Sequence, residues 1–109
     1  MATKIANKVL SYLRAGRTGR VSSNTTIEPY CGGYLVRLHG NAIIKYNVFY
    51  SGLLEISMAG WATRTTADRI SGVYGRYIPY SQKHYGECTD IFGNPANCYD
   101  NWVIVARIY

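Results

Sequence analysis

The sequence predicts one α+β domain: an N-terminal helix, an antiparallel meander sheet of about four to five strands that includes the C-terminal strand, and one short second helix. Apolar residues at helical spacing near the N-terminus predict the first helix. Alternating apolar and polar residues in the middle of the chain predict strands, and the turns between them are too short for crossover helices. The chain has 109 residues, of which 48% are hydrophobic, and this is enough for one core. Residues 1–109 are therefore predicted to form a single domain.

The first helix is predicted over residues 3–15. Thr3 is a plausible N-cap, and Gly16 is a plausible end because glycine reaches the left-handed conformation without steric cost. Residues 21–30 alternate weakly and carry many hydroxyl groups, which favours an exposed or edge strand. Pro29 is expected to end that strand because proline cannot donate a ladder hydrogen bond.

Three strands follow at residues 34–38, 42–50 and 53–58, separated by short turns. Glycines predict turns at residues 31–33 and 39–41, so that residues 30–50 form a hairpin. In the third strand, the alternation places Leu54, Ile56 and Met58 inward.

The segment after Met58 joins the sheet to the second helix. Trp61 is predicted to fill the core at this junction. The helix is predicted to begin at Thr65 or Thr66, with Thr65-x-x-Asp68 acting as a capping box, and two later glycines keep it short.

The remainder is predicted as a possible strand at residues 77–80, a long irregular loop at residues 81–101 and a final strand at residues 102–109. A loop this long in a small domain is usually functional or mobile. The final strand has an apolar face and is expected inside the sheet. That face comprises Trp102, Ile104, Ala106 and Ile108.

The charge is strongly basic, with 12 lysines and arginines against 6 acids, and a net charge of +6. Such a surface favours nucleic acid, an anionic membrane or an acidic protein face. The sequence contains neither a secretory signal nor the run of about 18 apolar residues that a membrane span needs. A soluble protein of the cytoplasm without a membrane partner is expected.

Catalytic and metal-binding residues are not predicted. The cysteines Cys31, Cys88 and Cys98 are odd in number and lack metal-ligand spacing, although the last two bracket a loop and can approach each other. His84 lies close to Cys88 and Asp90 in sequence, but an irregular loop does not orient a Cys–His pair for catalysis. We therefore expect no enzyme activity and no cofactor.

Binding residues are better represented. Arg17, Arg20 and Arg64 are predicted to form a phosphate-binding patch, with help from backbone amides at the start of the second helix. Exposed tyrosines stack on bases in single-strand binders and also anchor protein interfaces. Arg64 and Arg69 are expected to lack a structural role. The full set of predicted binding residues is Arg17, Arg20, Arg37, Arg64, Arg69, Tyr77, Tyr80, Lys83 and Tyr85.

Two stretches carry a family resemblance, the string LHGNAII within residues 34–44 and GWATRTTADRI at residues 60–70. Together they resemble a family of small tailed-phage proteins with an LHG-x-x-I string followed by GGW-x-T-x-TT-x-x-R-[IM]-N. Ala59 stands where the first glycine is common, and Ser71 where asparagine is common. The resemblance implies a phage accessory protein in the cytoplasm of an infected bacterium, and it implies no catalytic residue.

Two functions follow as hypotheses. The first is a non-enzymatic module that binds nucleic acid through a basic face. The alternative is a protein-directed inhibitor of a bacterial host enzyme or defence complex, such as a CRISPR effector, which binds through the tyrosine-rich loop at residues 81–101. Either function suits a monomer or a small homo-oligomer.

Overall fold

The computed structural model describes residues 4–47, 52–81 and 83–107. In these ranges the chain forms two helices, α1 (Lys4–Ala15) and α2 (Arg64–Tyr74), and eight strands. The strands are β1 (Gly19–Arg20), β2 (Thr25–Tyr30), β3 (Gly33–Leu38), β4 (Asn41–Asn47), β5 (Leu53–Ile56), β6 (Glu87–Thr89), β7 (Pro95–Asn97) and β8 (Val103–Arg107). The predicted α+β class, with an N-terminal helix and a short second helix, is confirmed.

The main sheet has six strands in the order β1-β2-β3-β4-β5-β8, and all neighbours are antiparallel. The strand predicted at residues 21–30 begins only at Thr25, because residues 21–24 form the turn between β1 and β2, in which the Val21 N–H donates to the Thr25 carbonyl at 2.9 Å. Pro29 does not end β2 but pairs with Tyr34. It is tolerated because β1 stops short of it and leaves that side of β2 open.

The turns at residues 31–32 and 39–40 are two-residue hairpin loops of the type I′ class, as their backbone angles show. Cys31 and Gly32 have φ of 45° and 81°, and His39 and Gly40 have φ of 52° and 82°. Positive φ at both central residues gives a twist that matches the right-handed twist of the flanking strands. The turns predicted at both places are confirmed.

Both helices pack on one face of the sheet and form a single core with it. The cluster joins Val9 and Leu13 of α1 and Ile70 of α2 to inward-facing residues of β2 to β5. Leu54, Ile56 and Met58 are fully buried, as predicted from the alternation. Among the described residues, no helix combines the length and the hydropathy that crossing a membrane would require.

The junction after Met58 differs from the prediction. Ala59 and Gly60 have φ of 54° and 79°, and the Trp61 N–H donates to the Met58 carbonyl at 2.9 Å. This tight turn reverses the chain, so Met58 fills the core and Trp61 remains 59% exposed. The prediction that Trp61 is a core residue was wrong.

The start of α2 also differs. Thr63 is the N-cap, and its Oγ1 accepts a hydrogen bond from the Thr66 N–H at 3.2 Å. The helix therefore begins at Arg64, and the predicted capping box of Thr65 and Asp68 was wrong. Thr63 has the extended backbone of an N-cap residue, with φ of −109° and ψ of 159°, whereas Thr65 already lies within the helix.

Strand β8 lies at the edge of the sheet rather than inside it. A register shift opposite Leu54 and Glu55 leaves Val105 as an extra residue on β8. This bulge turns Val105 into the core, with 6% exposure, whereas Ile104 of the predicted inward face is 38% exposed. Ile108 lies outside the described residues.

The predicted loop at residues 81–101 contains the hairpin of β6 and β7 and is attached to the core at several points. The Met58 N–H donates to the Cys98 carbonyl at 2.7 Å, and the Ile91 N–H donates to the Ile104 carbonyl at 2.9 Å. The second bond covers part of the open edge of β8. Residues 77–80 do not form the predicted strand.

Candidate functional site

Charge is segregated between the helices and the rest of the chain. We call residues 4–17 and 64–76, which are the two helices and the residues that follow each, the helical layer. It contains seven basic residues and one acid, while the remaining chain contains five basic and five acidic residues, so the whole net charge of +6 lies in this layer. Its basic residues are Lys4, Lys8, Arg14, Arg17, Arg64, Arg69 and Arg76.

A groove of about 740 Å³ runs along α2, and we call it the α2 groove. Arg64 lies at the start of the helix and Arg76 just beyond its end, and both side chains are exposed. Tyr77, which is 71% exposed, and Tyr80 lie at the same end as Arg76. The groove thus combines exposed cations with exposed aromatic rings. Its lining includes Asn7, Asn24, Arg64, Thr65, Asp68, Arg69, Ser71, Gly72, Arg76, Tyr77 and Tyr80.

Arg17 belongs to the same helical layer and is held by Tyr12. Its guanidinium carbon lies 4.4 Å from the centre of the Tyr12 ring, and Lys8 Nζ lies 5.9 Å from that centre. Two cations near one partly exposed ring keep positive charge on the outer side of α1.

Arg69 lies in the interior, although it was predicted to contact phosphate. It is 6% exposed, its Nε donates to Thr25 Oγ1 at 3.1 Å, and its Nη1 donates to Asp68 Oδ2 at 2.7 Å. These contacts connect α2 to β2 and give Arg69 the structural role that the sequence did not reveal. The exposed cations of the α2 groove are therefore Arg64 and Arg76.

Arg20 and Arg37 lie on the other face of the sheet and do not join Arg64. The register aligns Arg20 with Thr26 and Thr26 with Arg37, on strand positions that alternate with the buried ones. Arg37 forms an ion pair with Glu28, and its Nη1 donates to the Gly40 carbonyl at 2.9 Å. The predicted patch of Arg17, Arg20 and Arg64 is thus split between two faces.

The two other predicted residues lie in the 81–101 segment. Lys83 is exposed in a turn, and the Tyr85 ring packs on the Tyr99 ring with 4.5 Å between centroids. His84 Nδ1 lies 3.1 Å from a carboxylate oxygen of Glu87. In the described part of the chain, no three His, Cys, Asp or Glu side chains are grouped as metal ligands.

A second cavity, of about 350 Å³, was not foreseen from the sequence, and we call it the Trp61 cavity. It lies where the hairpin turn at residues 39–40 meets the start of α2. Both stretches that carry the family resemblance contribute to it. The joint occurrence of those two stretches was therefore the one feature of the sequence that could have indicated this cavity. Its lining residues are Leu38, His39, Asn41, Ile43, Met58, Trp61, Thr63, Thr65 and Thr66.

The thiols of Cys88 and Cys98 approach each other, as their positions at the two ends of one loop allow. The Cys98 thiol hydrogen-bonds to Cys88, and this lowers the pKa of Cys88 despite partial burial. The same interaction, together with burial, raises the pKa of Cys98 far above its ordinary value. Cys88 is therefore the more acidic thiol of the pair, and both cysteines are free rather than disulfide-bonded.

Iodoacetamide labelling should separate the three cysteines. We expect exposed Cys31 and half-buried Cys88 to be alkylated, with buried Cys98 protected in the folded protein. Because the pKa of Cys88 is lowered, its labelling rate should reach half its maximum at a lower pH than that of an ordinary cysteine thiol. Mass spectrometry of tryptic peptides across a pH series gives the three rates. Labelling of Cys98 as fast as Cys31 would contradict the burial of that thiol.

Comparison with known proteins identifies the family and little else. No curated protein and no solved structure matches the chain. A family model described as Kyanoviridae Gp96 protein matches residues 2–102, which include both helices and every described strand except β8. The predicted resemblance to a phage protein family is thereby confirmed. The chain belongs to the Kyanoviridae Gp96 family of phage proteins.

Proposed function

We propose that this phage protein is a non-enzymatic accessory module that binds nucleic acid through its helical layer in the cytoplasm of the infected bacterium. The observation that carries the proposal is the location of the net charge. The whole of the +6 lies in one layer. A polyanion gains most when positive charges share one face, because each phosphate neutralised releases condensed counterions.

The α2 groove supplies contacts for phosphates. Arg64 and Arg76 flank it, and the first turn of α2 contains no acid that would repel an anion. The helix dipole adds positive potential at the same end as Arg64. Asp68, the acid in the groove, is paired with Arg69 and so presents little net negative charge.

The exposed rings of Tyr77 and Tyr80 favour a single strand over a duplex. Large aromatic side chains left in solvent beside cations are the arrangement on which unpaired bases stack. In a duplex the bases are already stacked on each other and do not reach such rings. Binding is therefore expected to be tolerant of sequence and sensitive to salt.

A salt titration with a matched pair of double variants tests the proposal. Fluorescence anisotropy with a labelled single-stranded oligonucleotide gives the affinity at each salt concentration, and its logarithm should fall by about 0.7 per phosphate contact for each decade of salt. Arg64→Gln/Arg76→Gln should weaken binding and reduce this slope by about 1.4. Arg20→Gln/Arg107→Gln removes the same amount of charge outside the helical layer and should change the affinity and the salt slope much less. No binding at low salt, or equal losses in both variants, would contradict the proposal.

A second candidate, inhibition of a host enzyme or defence complex, is favoured by Phe92. This side chain is 85% exposed at the tip of the β6–β7 hairpin. Asp90 Oδ1 accepts hydrogen bonds from the Phe92 N–H at 2.9 Å and the Asn94 N–H at 3.0 Å, so the tip has a defined shape. An exposed aromatic ring on an ordered turn is suited to insert into a pocket of a partner protein.

Capture from nuclease-treated host lysate tests this candidate. A stoichiometric protein that the wild type retains and Phe92→Ser loses would support it. Phe92→Ser should leave the affinity for oligonucleotides unchanged, since Phe92 lies outside the helical layer. No partner, or a partner retained equally by Phe92→Ser, would count against it.

A further inference from the structure

We infer that the Trp61 cavity receives one nucleobase of a bound single strand. The inference rests on the proposed function and adds to it a specific pocket and the class of group that occupies it. It starts from the position of Trp61, whose ring remains 59% exposed beside an apolar hollow. A large ring left open beside such a hollow provides a stacking surface for a flat ligand.

The floor of the cavity is apolar and preformed. Leu38, Ile43 and Met58 line it and belong to the buried core, so their positions are set by the sheet. The volume of about 350 Å³ lies at the lower end of the range of about 300–1,000 Å³ typical of small-molecule sites. A flat heterocycle could stack on Trp61 and cover this floor, which a hydrated phosphate would not do.

Polar groups at the rim suit the edge of a base. The imidazole of His39, the amide of Asn41 and the hydroxyl of Thr65 together offer donors and acceptors, as base edges require. The hydroxyls of Thr63 and Thr66 lie 2.9 Å apart and satisfy each other, which keeps the helix start in place.

The backbone holds both walls of the cavity in place. The Trp61 N–H donates to the Met58 carbonyl and the Thr63 N–H donates to the Trp61 carbonyl, each at 2.9 Å. On the other wall, the His39 N–H donates to the Asn24 carbonyl at 2.8 Å. A base therefore meets a preorganised slot, which lowers the entropic cost of binding.

The cavity adjoins the α2 groove at Thr65. Thr65 lines both, and Arg64 lies beside it in the first turn of α2 and lines the groove. A strand that follows the groove past Arg64 can thus place the next base in the Trp61 cavity. In this arrangement, Arg64 contacts the phosphate that joins the inserted base to the rest of the strand.

The test compares strands with and without bases. In a Trp102→Phe background, Trp61 is the single tryptophan, and its fluorescence reports on the cavity. We expect oligothymidylate and oligouridylate to quench it, and an abasic phosphodiester of equal length to bind without quenching. A larger response to one of the two base-bearing strands tells whether DNA or RNA is the better source of the base.

In the same background, Trp61→Ala should weaken binding of the base-bearing strand about 5- to 150-fold. The affinity for the abasic strand and the salt slope should stay unchanged.

The controls separate this inference from the proposed function. Trp61→Phe keeps an aromatic surface and should retain most of the affinity, and the unfolding temperature of each variant shows that the fold is intact. Salt-dependent binding that is equal for abasic and base-bearing strands would overturn the base pocket but leave the proposed function standing. No binding of any strand at low salt would overturn both.

Discussion

Replacing Arg69 with methionine should lower the free energy of unfolding by about 3–5 kcal/mol, because the Asp68 carboxylate then loses the buried cation with which it pairs. The Asp68 side chain is 13% exposed and the Arg69 side chain 7%. The variant also removes the donor to Thr25 Oγ1, a hydroxyl with no exposed surface. Since a domain of this size is stable by only about 5–15 kcal/mol, the variant should be close to unfolding at growth temperature.

Urea denaturation of matched variants separates this structural role from a role in binding. Arg64→Met changes an exposed arginine five positions earlier and should alter the free energy of unfolding by about 0.5 kcal/mol or less. Adding Asp68→Asn to Arg69→Met removes the carboxylate that has lost its arginine and should recover part of the loss, which a double-mutant cycle measures. If Arg69→Met were as stable as Arg64→Met, the ion pair would not stabilise the fold.

Arg69 also illustrates what local sequence patterns miss. Its partner Thr25 is 44 residues away, and only the packing of α2 against β2 brings the two together. In the sequence, the same residue stands in a cluster of arginines and threonines that resembles a phosphate-binding motif. By contrast, the turns at 31–32 and 39–40 depend on adjacent residues and were predicted correctly.

The final strand was predicted correctly as part of the sheet, but its inward face was predicted only in part, for a related reason. Alternation assigned Trp102, Ile104 and Ala106 to the core, but the bulge opposite β5 shifts Val105 into it. A single extra residue reverses the faces of a strand on one side of the bulge. Its position is set by pairing with β5 and by the 81–101 segment beside β8, and neither is visible in the alternation.

The candidate site was predicted in its residue types and not in its layout. Arg64, Tyr77 and Tyr80 line the α2 groove together, whereas Arg20 and Arg37 lie on the other face of the sheet. The basic surface could be foreseen from a net charge of +6, but its confinement to the helices requires the register of β1 to β3. The Trp61 cavity requires the meeting of two stretches that are separate in sequence.

Replacing Gly72 with alanine should lower the free energy of unfolding by about 1–2 kcal/mol, although alanine is the better helix former by about 1 kcal/mol. The reason is the contact between the helices. A Cβ at Gly72 would lie 2.3 Å from the Cβ of Ala6, so α1 and α2 would have to separate by about 1.2–1.7 Å to reach normal carbon contact. The sequence suggested only that Gly72 weakens α2, whereas the structure shows that it permits the close approach.

Exchanging the two residues tests this explanation without changing the composition. In Ala6→Gly/Gly72→Ala the methyl group is moved from one helix to the other, so the clash is largely relieved and the helix propensities nearly cancel. The exchange should therefore restore most of the stability in thermal unfolding, and a loss equal to that of Gly72→Ala alone would refute the clash. The same contact should also affect binding. Because Asn7 and Gly72 both line the α2 groove, separating the helices should widen the groove. If oligonucleotides bind there, Gly72→Ala should weaken binding while the protein is still folded, and the exchange should restore the affinity together with the stability.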